Sequence, residues 1–137
     1  MTKVEYLSLV TILDRKIAKK RQRLTYYREM ASSPSGVSYD EIRVSKSRNT
    51  EAPFVGLIDK AIELEEEIKA LEKKRDDIRF RVASAIEVME NEDYKNLLVL
   101  KYLKNFSWAQ ICNELYVSRW TVKRWHDEAI EQLEIKI

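Results

Sequence analysis

Arg119, Trp120, Thr121, Lys123 and Arg124 fall within six consecutive positions, and their side chains suit contact with nucleic acid. Guanidinium and ammonium groups neutralise phosphates and donate hydrogen bonds to base edges, while an indole stacks on a base or meets a thymine methyl group. No Asp or Glu occurs between Ser118 and Trp125, whereas Asp127, Glu128, Glu131 and Glu134 follow soon after. The cations therefore gather at the leading end of the segment, the end that enters the groove when a helix reads DNA.

Two short helices must hold these residues. Ser107 followed by Gln110 has the spacing of a capping box, which starts a helix with its first amides satisfied. Ala109, Ile111, Cys112 and Leu115 give that helix a narrow apolar face, with Gln110, Asn113 and Glu114 turned to water. Ser118 is placed to cap a second helix, in which Val122, Trp125, Ala129, Ile130 and Leu133 recur at helical spacing. Only Tyr116 and Val117 separate the first helix from that cap, so the two helices must cross steeply. This is the layout of a helix-turn-helix. Residues 93–104 predict a third helix whose Leu97, Leu98, Leu100, Tyr102 and Leu103 cover the pair. With Val122 and Trp125 inward, Arg119, Trp120, Lys123 and Arg124 share the open face. Any amphipathic helix has a charged face, but the order of charges here, basic first and acidic after, favours nucleic-acid binding.

The run S-W-A-x-I-x-x-E-L-x-V-S-R-x-T-V-x-R, residues 107–124, resembles region 4 of bacterial sigma factors and of many sigma-like regulators. A coiled-coil amino-terminal half, a linker and then this motif is a layout similar to phage and prophage regulators of low-GC Gram-positive bacteria, the RinA and ArpU type of late transcription regulators. The resemblance implies that Arg119, Trp120, Lys123 and Arg124 touch DNA, that Ile111, Leu115, Val122 and Trp125 form the core, and that RNA polymerase is a further partner. Two positions depart from the pattern. Tyr116 stands where the turn usually has Gly, so either the turn has another shape or Tyr116 is strained. Trp120 stands where a small polar or acidic residue is common, and an exposed Trp there points to contact with DNA or with a protein partner.

Composition frames the rest. The chain has 137 residues, two Gly, two Pro and a formal net charge of +2. So few helix breakers argue for an all-α protein, and so small a charge means that nucleic acid would be attracted by local patches rather than a global field. One cysteine, Cys112, excludes an internal disulfide within the chain and suits a reducing cytoplasm. No apolar run is long enough to span a bilayer, and the amino terminus lacks a signal-peptide layout. A single His, His126, and two widely separated glycines offer neither a metal-ligand cluster nor a phosphate-cradling loop. No cofactor, metal or catalytic residue is expected, and an enzyme is not the reading that follows.

The amino-terminal two-thirds reads as two long helices. Thr2 and Glu5 form a capping box, and Tyr6, Val10, Leu13, Ile17, Leu24 and Tyr27 follow heptad spacing with Lys20 in one slot. The second helix should begin near Pro53 and carries Phe54, Leu57, Ala61, Leu64, Ile68, Leu71, Ile78, Val82, Ala85 and Met89, with Arg75 interrupting. Such seams predict a long antiparallel hairpin, with or without a second copy of the chain packed through these helices. Residues 31–51, which include Pro34 and Gly36, read as a flexible linker. The run 15–23 holds six basic residues, and ten acidic residues lie between Asp59 and Glu90. Pairing between these helices is a better account of the basic run than a second phosphate surface.

The expected organisation is a helical hairpin over residues 1–90 and a DNA-binding helix-turn-helix domain over 91–137. The function expected is sequence-specific transcriptional regulation on double-stranded DNA in the cytoplasm. A packaging component similar to a small terminase subunit is one alternative. A protein-interaction module that does not bind DNA is another.

Overall fold

The computed structural model describes residues 1–32 and 47–137, with side chains from residue 55 onward in the second stretch. Among the described residues every regular element is helical: α1 Lys3–Ser32, α2 Ser47–Glu87, α3 Glu92–Leu98, α4 Trp108–Leu115 and α5 Arg119–Gln132. The protein is all-α. Residues 33–46, most of the segment read as a linker, lie outside the described residues, and the flanks of that segment are helical. The second helix begins at Ser47, earlier than the expected start near Pro53.

Packing divides the chain into two units, Arg15–Glu72 and Met1–Asp14 with Lys73–Ile137. In the first unit, α1 and α2 segments run antiparallel over a seam of Ile17, Leu24, Ala61, Leu64 and Ile68, with Tyr27 and Leu71 packed alongside. Ion pairs flank the seam. Lys20 Nζ lies 2.7 Å from Glu67, Arg21 pairs with Glu72, and Arg28 pairs with Glu65. Part of the basic run is thus paired with the acidic helix, as its charge pattern anticipates. Exposed pairs of this kind contribute only about 0.2–1 kcal/mol each, so they set register and direction more than stability.

The second unit holds the segments of interest. The first turns of α1 enter it through Tyr6, Leu7, Val10 and Leu13, and the last turns of α2 through Ile78, Val82 and Ile86, all buried. Ile86 takes the inward position near the end of α2, and Ala85, the residue expected from heptad spacing, is only half-buried. Thr2 and Glu5 form the anticipated reciprocal cap at 3.2 Å in each direction. Where Arg75 breaks the α2 seam, its guanidinium meets Asp14 at 3.1 Å.

From α3 onward the chain makes two corners of one design. Asn91 caps α3 by accepting from the amides of Asp93 and Tyr94. The helix then widens into a π-helical turn, Val99–Leu103, where one extra residue per turn keeps Leu100 and Tyr102 buried beside Leu97 and Leu98. Asn105 adopts a left-handed conformation with φ 58°, the Phe106 amide reaches back to the Leu100 carbonyl at 2.9 Å, and Ser107 caps α4. The chain repeats the device eleven residues on. Tyr116 is left-handed at φ 56° and ψ 42°, the Val117 amide bonds the Cys112 carbonyl at 3.2 Å, and Ser118 caps α5. In each corner a left-handed residue reverses the chain, an apolar residue drops onto the core and a serine starts the next helix.

Asn tolerates the left-handed region through its short polar side chain, but Tyr must push its Cβ against the following carbonyl. Tyr116 has the conformation a Gly would favour and is 93% exposed, so its ring recovers little by packing. Replacing it with Gly removes a strain of about 1–2 kcal/mol and adds unfolded-chain entropy costing about 0.4–1 kcal/mol. A Tyr116→Gly variant should therefore melt a few degrees above the wild type, read by thermal denaturation, and Tyr116→Val should melt below it.

Candidate nucleic-acid interface

The two corners bring α3, α4 and α5 around one cluster. Leu97, Leu100, Ile111 and Val122 are its buried centre, with Phe106, Trp108, Cys112, Leu115, Val117 and Trp125 packed against it. Ile111 and Val122 are at most 1% exposed, and truncating residues of this kind to Ala typically costs about 2–5 kcal/mol. Further along α5, Ala129 and Leu133 are fully buried and Ile130 half-buried. The expected apolar face of α4 needs one correction. Ala109 is exposed, and Trp108 takes its place on the core. Trp108 stands three and four positions before Ile111 and Cys112, so helical spacing already carries the signal.

Burial on one side of α5 fixes what the other side presents. Trp120 precedes Val122 by two residues, which on an α-helix is a turn of about 200°, so a fully buried Val122 puts Trp120 outermost, and it is 68% exposed. Arg119, Lys123 and Arg124 are exposed beside it. The four residues expected to face out therefore share one exposed surface on the first half of the helix. Thr121 has a local task. Its amide donates to the Ser118 hydroxyl oxygen at 3.2 Å, and the two hydroxyls lie 2.9 Å apart.

The outer surface has two parts. Arg119 and Lys123 face a shallow depression of about 320 Å³ that they line with Trp108, His126 and Asp127. Arg124 lies over the Trp120 ring, its guanidinium carbon 4.9 Å from the centroid, in a cation–π contact. Glu128, one turn beyond Arg124, is drawn to the hydroxyl of buried Tyr94. That contact, together with burial, raises the Tyr94 phenol above its ordinary value.

A polar network on α5 escapes sequence reading altogether. Tyr102 Oη and His126 Nε2 are 2.5 Å apart, and the Asp127 carboxylate lies 3.7 Å from His126 Nδ1. A proton on Nδ1, beside that carboxylate, leaves Nε2 to accept from the tyrosine hydroxyl. Trp108 meets the His126 ring edge-on with centroids 5.1 Å apart, and Lys101 lies over the Trp108 ring at 4.3 Å. Burial pushes Tyr102 up to about 12. Burial lowers the His126 pKa, Asp127 pulls the other way, and the Lys101 charge lowers it further. Among the described residues no group of His, Cys, Asp and Glu could hold a metal ion, and His126 acts as a neutral hydrogen-bonding ring between α5 and the π-helical turn. No described helix is long and apolar enough to cross a membrane.

These features define an all-α chain in which two corner-linked helices, backed by a third, present a cationic and aromatic surface. The chain belongs to the family described as Protein of unknown function (DUF1492), whose profile matches residues 30–134, from the end of α1 past the end of α5. No curated protein and no solved structure matches the chain.

The lowered His126 pKa has a signed consequence. Below the ordinary value of 6.5 the unfolded chain takes up a proton that the folded chain resists. The stabilisation is complete above pH 6.5 and is lost as pH falls through the folded-state pKa. Thermal unfolding followed from neutral pH to about pH 5 should show a falling melting temperature, and His126→Gln should flatten that slope. An unchanged slope in the variant would mean that His126 is not held neutral.

Proposed function

We propose that this protein is a sequence-specific regulator of transcription that binds double-stranded DNA through α4 and α5 as a helix-turn-helix. It is a regulator of the kind encoded by phages and prophages. The observation that carries the reading is the shared exposed surface of Arg119, Trp120, Lys123 and Arg124 on the acid-free leading half of α5. In this reading α5 lies in the major groove, leading end first. Arg119 and Lys123, beside the Trp108 depression, neutralise backbone phosphates and fix register. The resemblance to sigma region 4 adds RNA polymerase as a partner of the same unit. The helical pair of α1 and α2 supplies a surface for a second copy of the chain, and a dimer would read half-sites separated by about one helical turn or a multiple of it.

One observation favours a second reading. Tyr116, at the corner that ends α4, and Trp120, in the first turn of α5, leave large aromatic areas in solvent, and such residues are common anchors at protein interfaces. Binding of a protein partner by this face, without DNA, would be insensitive to salt.

DNA fragments pooled from the chain's own genomic neighbourhood distinguish the two. The intact protein should retain a subset of fragments, more weakly as salt rises. The Arg119→Ala, Lys123→Ala variant should bind that subset more weakly, with the slope of log affinity against log salt reduced by about 2. No retention by folded protein at low salt would end the DNA reading. Retention with an unaltered slope in the variant would move the interface away from α5.

A further inference from the structure

We propose that Trp120 and Arg124 form a cation–π reading pair in which the indole holds the Arg124 guanidinium in position to recognise a guanine in the major groove. The inference rests on the DNA-binding reading above and deepens it by naming the base. Three observations carry it.

The first is the contact itself. A guanidinium carbon 4.9 Å from the indole centroid is held through its charge and needs no hydrogen-bond acceptor for that contact, so its N–H donors remain available to another partner. Those donors match the O6 and N7 acceptors that guanine alone presents side by side in the major groove.

The second is competition. Glu128 stands four residues after Arg124, the spacing at which a carboxylate captures a guanidinium on a helix. It is engaged instead by the Tyr94 hydroxyl on α3. Asp127, three residues after Arg124, sits beside His126. Among the described residues neither acid pairs with Arg124, and the Trp120 ring is the surface on which Arg124 rests.

The third is position. Trp120 is the outermost residue of the leading half of α5, opposite the buried Val122, and Arg124 follows it by one turn. Arg119 and Lys123 lie on the flank that borders the Trp108 depression. This geometry divides the cations into two on the flank, suited to phosphates, and one on the outermost ridge, suited to bases. An arginine free to sample many rotamers must be ordered when it binds; one already lying on an indole has fewer to lose. Trp120 is thus a positioning residue and Arg124 the base-contacting one.

Selection from a randomised duplex library tests the pair. The wild-type protein, Arg124→Ala, Arg124→Lys, Trp120→Ala and Trp120→Phe are compared with melting curves confirming that each is folded. The wild type should enrich a motif with at least one nearly invariant G. Arg124→Ala should erase the preference at that position, binding the wild-type motif roughly 10- to 100-fold more weakly while leaving other positions intact. Arg124→Lys, charged but without the planar fork, should also relax it. Trp120→Ala should weaken the same preference, and Trp120→Phe should restore it in part. A wild-type motif that Arg124→Ala selects unchanged overturns the proposal and leaves DNA binding standing. A G preference that survives Trp120→Ala undiminished removes the positioning role of the indole. Failure of the wild type to enrich any sequence overturns both the proposal and the reading it rests on.

Discussion

The exposed cationic surface of α5 depends on the left-handed turn at Tyr116. One residue at φ 56° ends α4, drops Val117 onto the core and hands the chain to Ser118, which starts α5. Without that reversal α4 and α5 could not meet around Ile111 and Val122, and the cations of α5 would have no fixed direction. A bulky residue is an expensive occupant of this conformation. The structure tolerates it because the corner is held on both sides, by the Val117 amide on the Cys112 carbonyl and by the Ser118 cap on Thr121. The same device at Asn105 uses a residue suited to the left-handed region, so strain is concentrated at the corner next to the proposed DNA surface.

Around this corner the remaining elements act as supports. The π-helical turn carries Tyr102 and Lys101 to positions where they engage His126 and Trp108, tying the flank of α5 to that turn and the turn to α4. Tyr94 holds Glu128 on the other flank. The start of α1 joins the same unit, where the Lys3 amine donates to the Ile130 carbonyl at 3.1 Å near the carboxyl end of α5, the end a helix dipole makes receptive to cations. α5 is therefore braced along its length by side chains from α1, α3, the π-helical turn and α4, while its leading outer face is left to solvent. In the proposed reading this division gives function its form: rigid packing behind, cations and an indole in front.

Much of this was legible because the signals are local. Ser107 with Gln110, Ser118, and Thr2 with Glu5 cap helices through residues three apart, and most of the apolar seams of α1 and α2 follows from spacing, Leu7 and Ile86 apart. The outward set Arg119, Trp120, Lys123 and Arg124 follows once Val122 is taken as core. The rest depends on contacts distant in sequence. Nothing in the residues around His126 announces that Tyr102 and Trp108 enclose it, and a π-helical turn has the composition of an α-helix. The entry of the first fourteen residues into the carboxy-terminal unit is likewise invisible to periodicity, which reports that a face is apolar and not what covers it. Ala109 misleads for a simpler reason: its small apolar side chain fits either face, and Trp108 at the correct spacing outweighs it.

In the proposed reading the leading half of α5, held by the corner at Tyr116, is the surface that meets DNA. The most direct test is an amide NMR titration of the intact protein with a duplex it retains. The largest shifts should fall on Ser118–Trp125, with a second group at Ser107 and Trp108, and the basic stretch 15–23 should change little. Shifts centred on 15–23, or a bound complex in which α5 is unperturbed, would contradict it.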